Sequence, residues 1–371
     1  MGEFDLIVVG GGPAGAAAAT FCAQQGWHVA LFEHAHFPRH KVCGNVINPN
    51  CWPVLERLGV AEKVRALPQY VVQGATFTTM DETVLQIDRR TNDGHLTAIR
   101  RCLFDAALLE HARASGVTVF ESDTVHGIAA GHEVVTHSGR HISRKGIVGA
   151  DGRHSIVAQA AGLARNVGRG NEYMAFQGHF PLPQALDDRV QLHLFPGGYC
   201  GLVRVDGDNV NLCIVAGRES ARDRDDCAAL FAHTVGQNPH FCALNIVPEP
   251  IEPLHCIHPV WTPTNAPAKN RIFLVGDALR VMEPFTGQGI FFALRTAELA
   301  AEALSSSQRP EAAYATAVAR FYRERARTNG WLRRLMYHER TARLAIKVLQ
   351  NRPWLTRRLA ANVLGEARRF G

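Results

Sequence analysis

The sequence predicts an α/β fold: a doubly wound domain interleaved with a β-sheet-rich domain and followed by a helical C-terminal region. Three observations carry this. The first is the apolar run Asp5-Leu6-Ile7-Val8-Val9, which stops at Gly10-Gly11-Gly12-Pro13-Ala14-Gly15, passes through Ala16 to Ala19, and is followed by His28-Val29-Ala30-Leu31-Phe32 ending at Glu33. That pattern reads as strand, turn, helix, strand. The second is the stretch from about Glu172 to Ala266, where short apolar runs with aromatic and β-branched residues follow one another. The third is the helical spacing of Phe291, Leu294, Ala297, Leu304, Val318 and Phe321.

Gly10, Gly12 and Gly15 form G-x-G-x-x-G at the end of the first strand. Gly10 permits the tight turn, Gly12 lets a pyrophosphate approach the backbone, and Gly15 lets the helix pack closely on the strand. The helix start at Pro13 and Ala14 leaves free N–H groups facing the phosphates. Glu33 lies eighteen residues past Gly15, placed to hydrogen-bond ribose hydroxyls. A Rossmann-type dinucleotide site follows.

Size and composition set limits. A chain of 371 residues exceeds what one core usually serves, so two lobes are expected. The N-terminus shows no basic segment leading into a long apolar one, and no window approaches a membrane span, so a cytoplasmic location is expected. Nine scattered cysteines and eighteen histidines show neither C-x-x-C nor H-E-x-x-H, and no metal site is expected. Of the net charge of +6, the tail from Arg309 to Gly371 holds fifteen Arg or Lys against four Glu, so the remainder is acidic. With the basicity confined to the tail and no binding motif beside it, a nucleic-acid partner is excluded.

Beyond Glu33 runs a cation-bearing loop, His34 to Gly44, that ends in Pro38-Arg39-His40-Lys41-Val42-Cys43-Gly44. The glycine motif, Glu33 and this Pro-x-x-Lys-x-Cys-Gly together resemble the FAD enzymes of the para-hydroxybenzoate hydroxylase fold. Within that fold the geranylgeranyl-reductase-like branch is most similar. The resemblance implies that Lys41 and Cys43 lie near the flavin; for Cys43, a small buried residue at a tight turn is the other reading. A helix is expected over Cys51 to Leu67, then strands from Tyr70 to Ile87. Arg101-Cys102-Leu103-Phe104-Asp105 opens a helix to about Ala114, and the resemblance gives Arg101 a contact with FAD. Ile147 to Ser155 carries Asp151-Gly152, similar to the Asp-Gly motif of aromatic hydroxylases, which serves FAD and NAD(P)H.

In the β-rich stretch Gln177 shares a strand face with His179, and Gln191 with His193. Either that polar face roofs the flavin, making His179 and His193 catalytic candidates, or it is solvated. A helix is expected at Cys227 to Val235. Arg271 to Ala278 is an apolar strand ending in Gly276-Asp277, and Pro284-Phe285-Thr286-Gly287-Gln288-Gly289-Ile290 follows at a helix start. The resemblance implies that Asp277 holds the ribityl chain and that the amides of Gly287, Gln288, Gly289 and Ile290 approach the flavin pyrimidine edge. A helix N-terminus there suits the negative charge of reduced flavin.

The expected domains are residues 1–69, 95–171 and 267–305 for FAD, 70–94 and 172–266 for substrate, and 306–371 as a basic helical region. Three reactions remain open. One is hydroxylation of an aromatic or hydrophobic substrate through a flavin C4a-hydroperoxide, with NAD(P)H as transient donor. The second is reduction of a lipid C=C bond; Phe195-Pro196 keeps only part of the Tyr-x-Trp-x-Phe-Pro motif of geranylgeranyl reductases. The third is halogenation, against which stands the absence of any lysine between Arg65 and Arg144. A non-catalytic flavin module is the reading without turnover. Hydroxylation is preferred. The basic C-terminal segment, with Trp331, Leu332, Leu335, Leu344, Ile346, Leu349, Trp354, Leu359 and Val363, either packs or lies on an anionic membrane, and an acidic carrier delivering the substrate is a further partner.

Overall fold

In the computed structural model the run that opens the chain becomes strand Gly2–Val9, at the centre of a mainly parallel sheet. Leu6, Ile7 and Val8 are fully buried, with paired strands on both edges and helix Pro13–Ala23 packed against the strand. Residues 2–88, 96–165, 173–217, 226–236, 238–260, 262–336, 339–352 and 354–356 are described. Val29–Phe32 pairs parallel on one side and Arg140–Gly149 on the other, with Thr118–Phe120 and Ile272–Leu274 extending the sheet. Helix Pro13–Ala23 packs against Gly289–Ser306, so residues far apart in sequence build one core.

The second sheet runs in the order His255–Ile257, Tyr173–Pro181, Asn209–Gly217, Gly198–Arg204, Val190–Phe195, Gly74–Thr78, Val84–Asp88. Its pairings are antiparallel except between Val190–Phe195 and Gly74–Thr78. Both faces are covered. Helices Cys227–His233 and Pro239–Cys242 bring Phe231 and Phe241 to one face, and the other closes on the first lobe.

The helix expected over Cys51 to Leu67 is two, Cys51–Leu58 and Ala61–Arg65, because Gly59 takes φ +82° and caps the first in the left-handed region. Arg101–Ala114 runs as expected. The C-terminal segment divides. Pro310–Met336 puts Tyr314, Val318 and Phe321 into the core of the first lobe, whereas Glu339–Gln350 lays Ala342, Ile346 and Leu349 on the second. Tyr314 Oη donates to Leu274 O at 2.6 Å and ties the long helix to the parallel sheet. The side chains of Trp331, Leu332 and Leu335, and residues Leu359 and Val363, lie outside the described residues. No described helix is long and apolar enough to cross a membrane.

Candidate functional site

The carboxyl ends of the parallel strands and one face of the second sheet enclose a cavity of about 360 Å³. Ligands of open α/β sheets bind at those strand ends, where loops leave the sheet. Gly10, Gly12, Pro13, Ala14 and Glu33 line one end. Gly10 takes φ +102°, and a Cβ there would stand 2.4 Å from Ala150 O. Gly15 and Gly276 do not line the cavity; they let it close. A Cβ on Gly15 would meet Gly10 O at 1.8 Å, and one on Gly276 would meet Ala14 Cβ at 2.8 Å. Gly12, by contrast, faces only Arg39 at 3.4 Å and caps the helix without a side chain, leaving room for a phosphate beside uncapped amides.

Glu33 is buried and fixes the turn, accepting from Gly11 N at 2.6 Å and Ala35 N at 2.9 Å. Beside it Arg39 lies 3.3 Å from Asp105, yet its Nε and Nη1 make no hydrogen bond among the described residues. Uncommitted buried donors at a glycine turn are what a pyrophosphate or ribose would satisfy. The residues therefore fit a dinucleotide. The loop signalled Arg39 only as one cation among several, and its pairing with Asp105 was hidden because the partners sit on separate elements.

Arg101 lines the middle of the cavity but is largely committed. It donates to Asp105 Oδ1 and Oδ2 at 2.7 and 2.8 Å, with Cys43 close by. Burial alone would lower its pKa; Asp105 instead holds it above its ordinary value. Cys43 is half-buried in the lining, and its carbonyl accepts from Asn211 Nδ2 at 3.2 Å. Asn211, a polar residue within an apolar strand, is a lining group that strand alternation does not single out. Asp151 lines the cavity while its side chain caps a helix, accepting from Ser155 Oγ at 2.6 Å and Val157 N at 3.1 Å. Burial pushes its carboxyl up, against those two bonds. Lys41 is held below its ordinary pKa by burial, with Asp277 opposing.

At the far end lie Asp277, Pro284, Gly287, Gly289 and Ile290. Gly287 takes φ +60°, and Gly289 begins the helix to Ser306. Gln288, its N-cap, is buried and is not part of the lining.

The second sheet presents its apolar face to the cavity, through Ala75, Phe77, Val190, Leu192, Tyr199 and Val203. For Gln191 and His193 this differs from both alternatives of the sequence reading, a polar roof and a solvated face, since both residues are buried away from the cavity. His193 and Gln191 alternate with Val190 and Leu192 and face the opposite way, toward Phe241. Gln191 Oε1 accepts from His193 Nε2 at 3.1 Å, so Nδ1 accepts from Thr78 Oγ1 at 2.8 Å. Burial pushes His193 down to about 3. His179 shares the cavity-side face but sits outside the lining, where Asn45 Nδ2 donates to its Nε2 at 2.9 Å and its Nδ1 donates to Glu252. Burial lowers its pKa and Glu252 opposes this. Both histidines hold the structure around the cavity; neither lines it.

The FAD binding domain family matches residues 3–328. A menaquinone reductase of Mycolicibacterium smegmatis is 26% identical over 319 residues, covering 81% of this chain and 76% of that protein. A tryptophan 2-halogenase of Chondromyces crocatus is 24% identical over 323 residues, 81% of this chain and 61% of the halogenase. Among solved structures, pqsL of Pseudomonas aeruginosa, a probable FAD-dependent monooxygenase, superposes with a TM-score of 0.70 at 20% identity over 97% of this chain and 99% of its own. The last likeness is one of fold.

Replacing Glu33 by Ala removes acceptors at the turn, and FAD affinity measured by fluorescence titration should fall on the order of tenfold to a hundredfold; unchanged affinity would contradict the placement of the ribose there. His193 gives a second test. The unfolded chain takes up a proton near 6.5 that the folded chain refuses until about 3, so stability is full above that range and is lost as pH falls through it. In urea unfolding, His193→Gln should flatten this dependence; an equally steep curve would refute the assignment.

Proposed function

The chain belongs to the FAD binding domain family and is an FAD-dependent oxidoreductase, and from that premise we propose that it hydroxylates an aromatic or otherwise hydrophobic substrate. The observation that carries this reading is the apolar wall. Among the described residues that the second sheet gives to the cavity, none is an acid, a histidine, a lysine or an arginine. Such a wall orients a substrate by shape and keeps water from the reacting centre.

Gly10, Gly12, Pro13 and Ala14 would hold the pyrophosphate and Glu33 the ribose. Asp277 would take the ribityl chain, and the amides from Gly287 to Ile290 the pyrimidine edge. Bound there, the flavin supplies the electrons and activates oxygen. Phe77, Leu192 and Val203 press the substrate toward it, and Arg101, fixed by Asp105, keeps the Cys43 loop in place. The cavity has one dinucleotide turn, so NAD(P)H would visit transiently or a partner would deliver electrons. A carrier or membrane surface is the proposed source of the substrate. The exposed Leu344, Val348 and Trp354, beside Arg343 and Lys347, support a peripheral contact.

Reduction of a C=C bond is the second reading. Cys43 favours it, since a thiol in the lining beside Arg101 is placed to give a proton, and the similarity to a menaquinone reductase points the same way. Halogenation has less support, because Lys41 stands among Asp277, Arg153 and Arg101 on the cofactor side.

Oxygen uptake and product formation with NAD(P)H separate these readings. Aromatic substrates should stimulate oxygen consumption, and Leu192→Gln should retain FAD while the product formed per oxygen falls several-fold in favour of hydrogen peroxide. Anaerobic turnover of a polyprenyl substrate would overturn hydroxylation.

A further inference from the structure

Outside the cofactor end of the cavity, three side chains from distant parts of the chain converge. His40 comes from the loop after Glu33, Glu252 from the segment after helix Pro239–Cys242, and His255 from the edge strand His255–Ile257. Their ligand atoms lie within 4.8 Å of one another, and the rings of His40 and His255 stack at 5.1 Å between centroids. We propose that His40, Glu252 and His255 form a binding site for one divalent transition-metal ion of the zinc type.

The donor chemistry selects the ion. Two imidazoles and one carboxylate suit Zn²⁺, whereas Ca²⁺ and Mg²⁺ require sets of oxygen ligands. The geometry lacks only a small closure. Ligands at about 2.0–2.2 Å from zinc stand roughly 3.3 Å apart in a tetrahedral set. His40 Nδ1 is already 3.6 Å from Glu252, and its side chain is half-exposed. At that distance the two groups stand just beyond hydrogen-bond reach of one another.

Glu252 is also held from behind. Asn45 Nδ2 donates to His179 Nε2, which leaves the proton on Nδ1 to bond Glu252. A histidine that orients a ligating carboxylate in this way is the kind of outer support metal sites use. It gives buried His179 and Asn45 a role that the cavity does not. Arg100, the arginine whose charge reaches Glu252, is paired with Asp206 at 3.4 Å. The ion would tie the loop carrying Lys41 and Cys43 to the second sheet, fixing the rim of the cavity. This site is independent of which reaction the flavin performs.

The test is calorimetric titration of tag-free, chelator-treated full-length protein with Zn²⁺, with Co²⁺ as a spectroscopic probe. One ion per chain should bind, excess Mg²⁺ or Ca²⁺ should not compete, and Co²⁺ should show visible absorption of an N- and O-ligated centre. Glu252→Gln and His255→Ala should each weaken Zn²⁺ at least tenfold with FAD content and circular dichroism unchanged, while His258→Ala should bind as the parent does. Absence of saturable one-to-one binding, or affinity that survives both ligand substitutions, would overturn the proposal.

Discussion

Everything functional in this molecule depends on how closely three backbones approach at the ends of neighbouring parallel strands. Gly2–Val9, Arg140–Gly149 and Ile272–Leu274 lie side by side, and their exits, Gly10, Ala150 and Gly276, leave no room for side chains between them. Because Gly10 lacks a Cβ, the chain turns against Ala150 O; because Gly15 lacks one, the helix starts directly beneath that turn. The result is one cavity floor assembled from residues more than 250 positions apart. Glu33 and Asp277 then stand at its two ends.

The second sheet closes that floor with the face that carries Phe77, Leu192 and Val203. Alternation assigns two faces to a strand but does not say which one meets the rest of the protein. For Val190–Phe195 the choice goes with Phe241, whose ring meets that of His193 edge-on from a helix about fifty residues later. His193 is thereby a buried neutral group satisfied by Thr78 and Gln191. The consequence for chemistry is a dry wall in which Cys43, Cys213 and Asn211 are polar exceptions, and burial pushes the Cys213 thiol up to about 12.

Legibility in the sequence followed contiguity. The glycine turn, Glu33, the helix at Arg101 and the turn at Gly276-Asp277 were readable as local structure because each rests on a few neighbouring residues with a fixed local conformation. The facing of the second sheet, the Arg39–Asp105 pair and the convergence of His40 with Glu252 and His255 were not, since each depends on elements separated by tens to hundreds of residues with no spacing signature. Asp151 is intermediate: it lines the cavity, and its carboxylate also serves the helix it caps. The C-terminal region also reads differently in three dimensions, since Tyr314 anchors its first helix to one lobe while Ile346 packs its next on the other.

The central claim is that a single FAD spans the cavity, with its ring against the apolar face of the second sheet. A crystal structure of the FAD-bound protein tests it most directly. The account predicts the adenosine ribose at Glu33, the pyrimidine edge at the amides of Gly287 and Gly289, and the ring facing Leu192 and Val203. A ring lying outside this cavity, or on the side of the sheet where His193 and Phe241 pack, would contradict it.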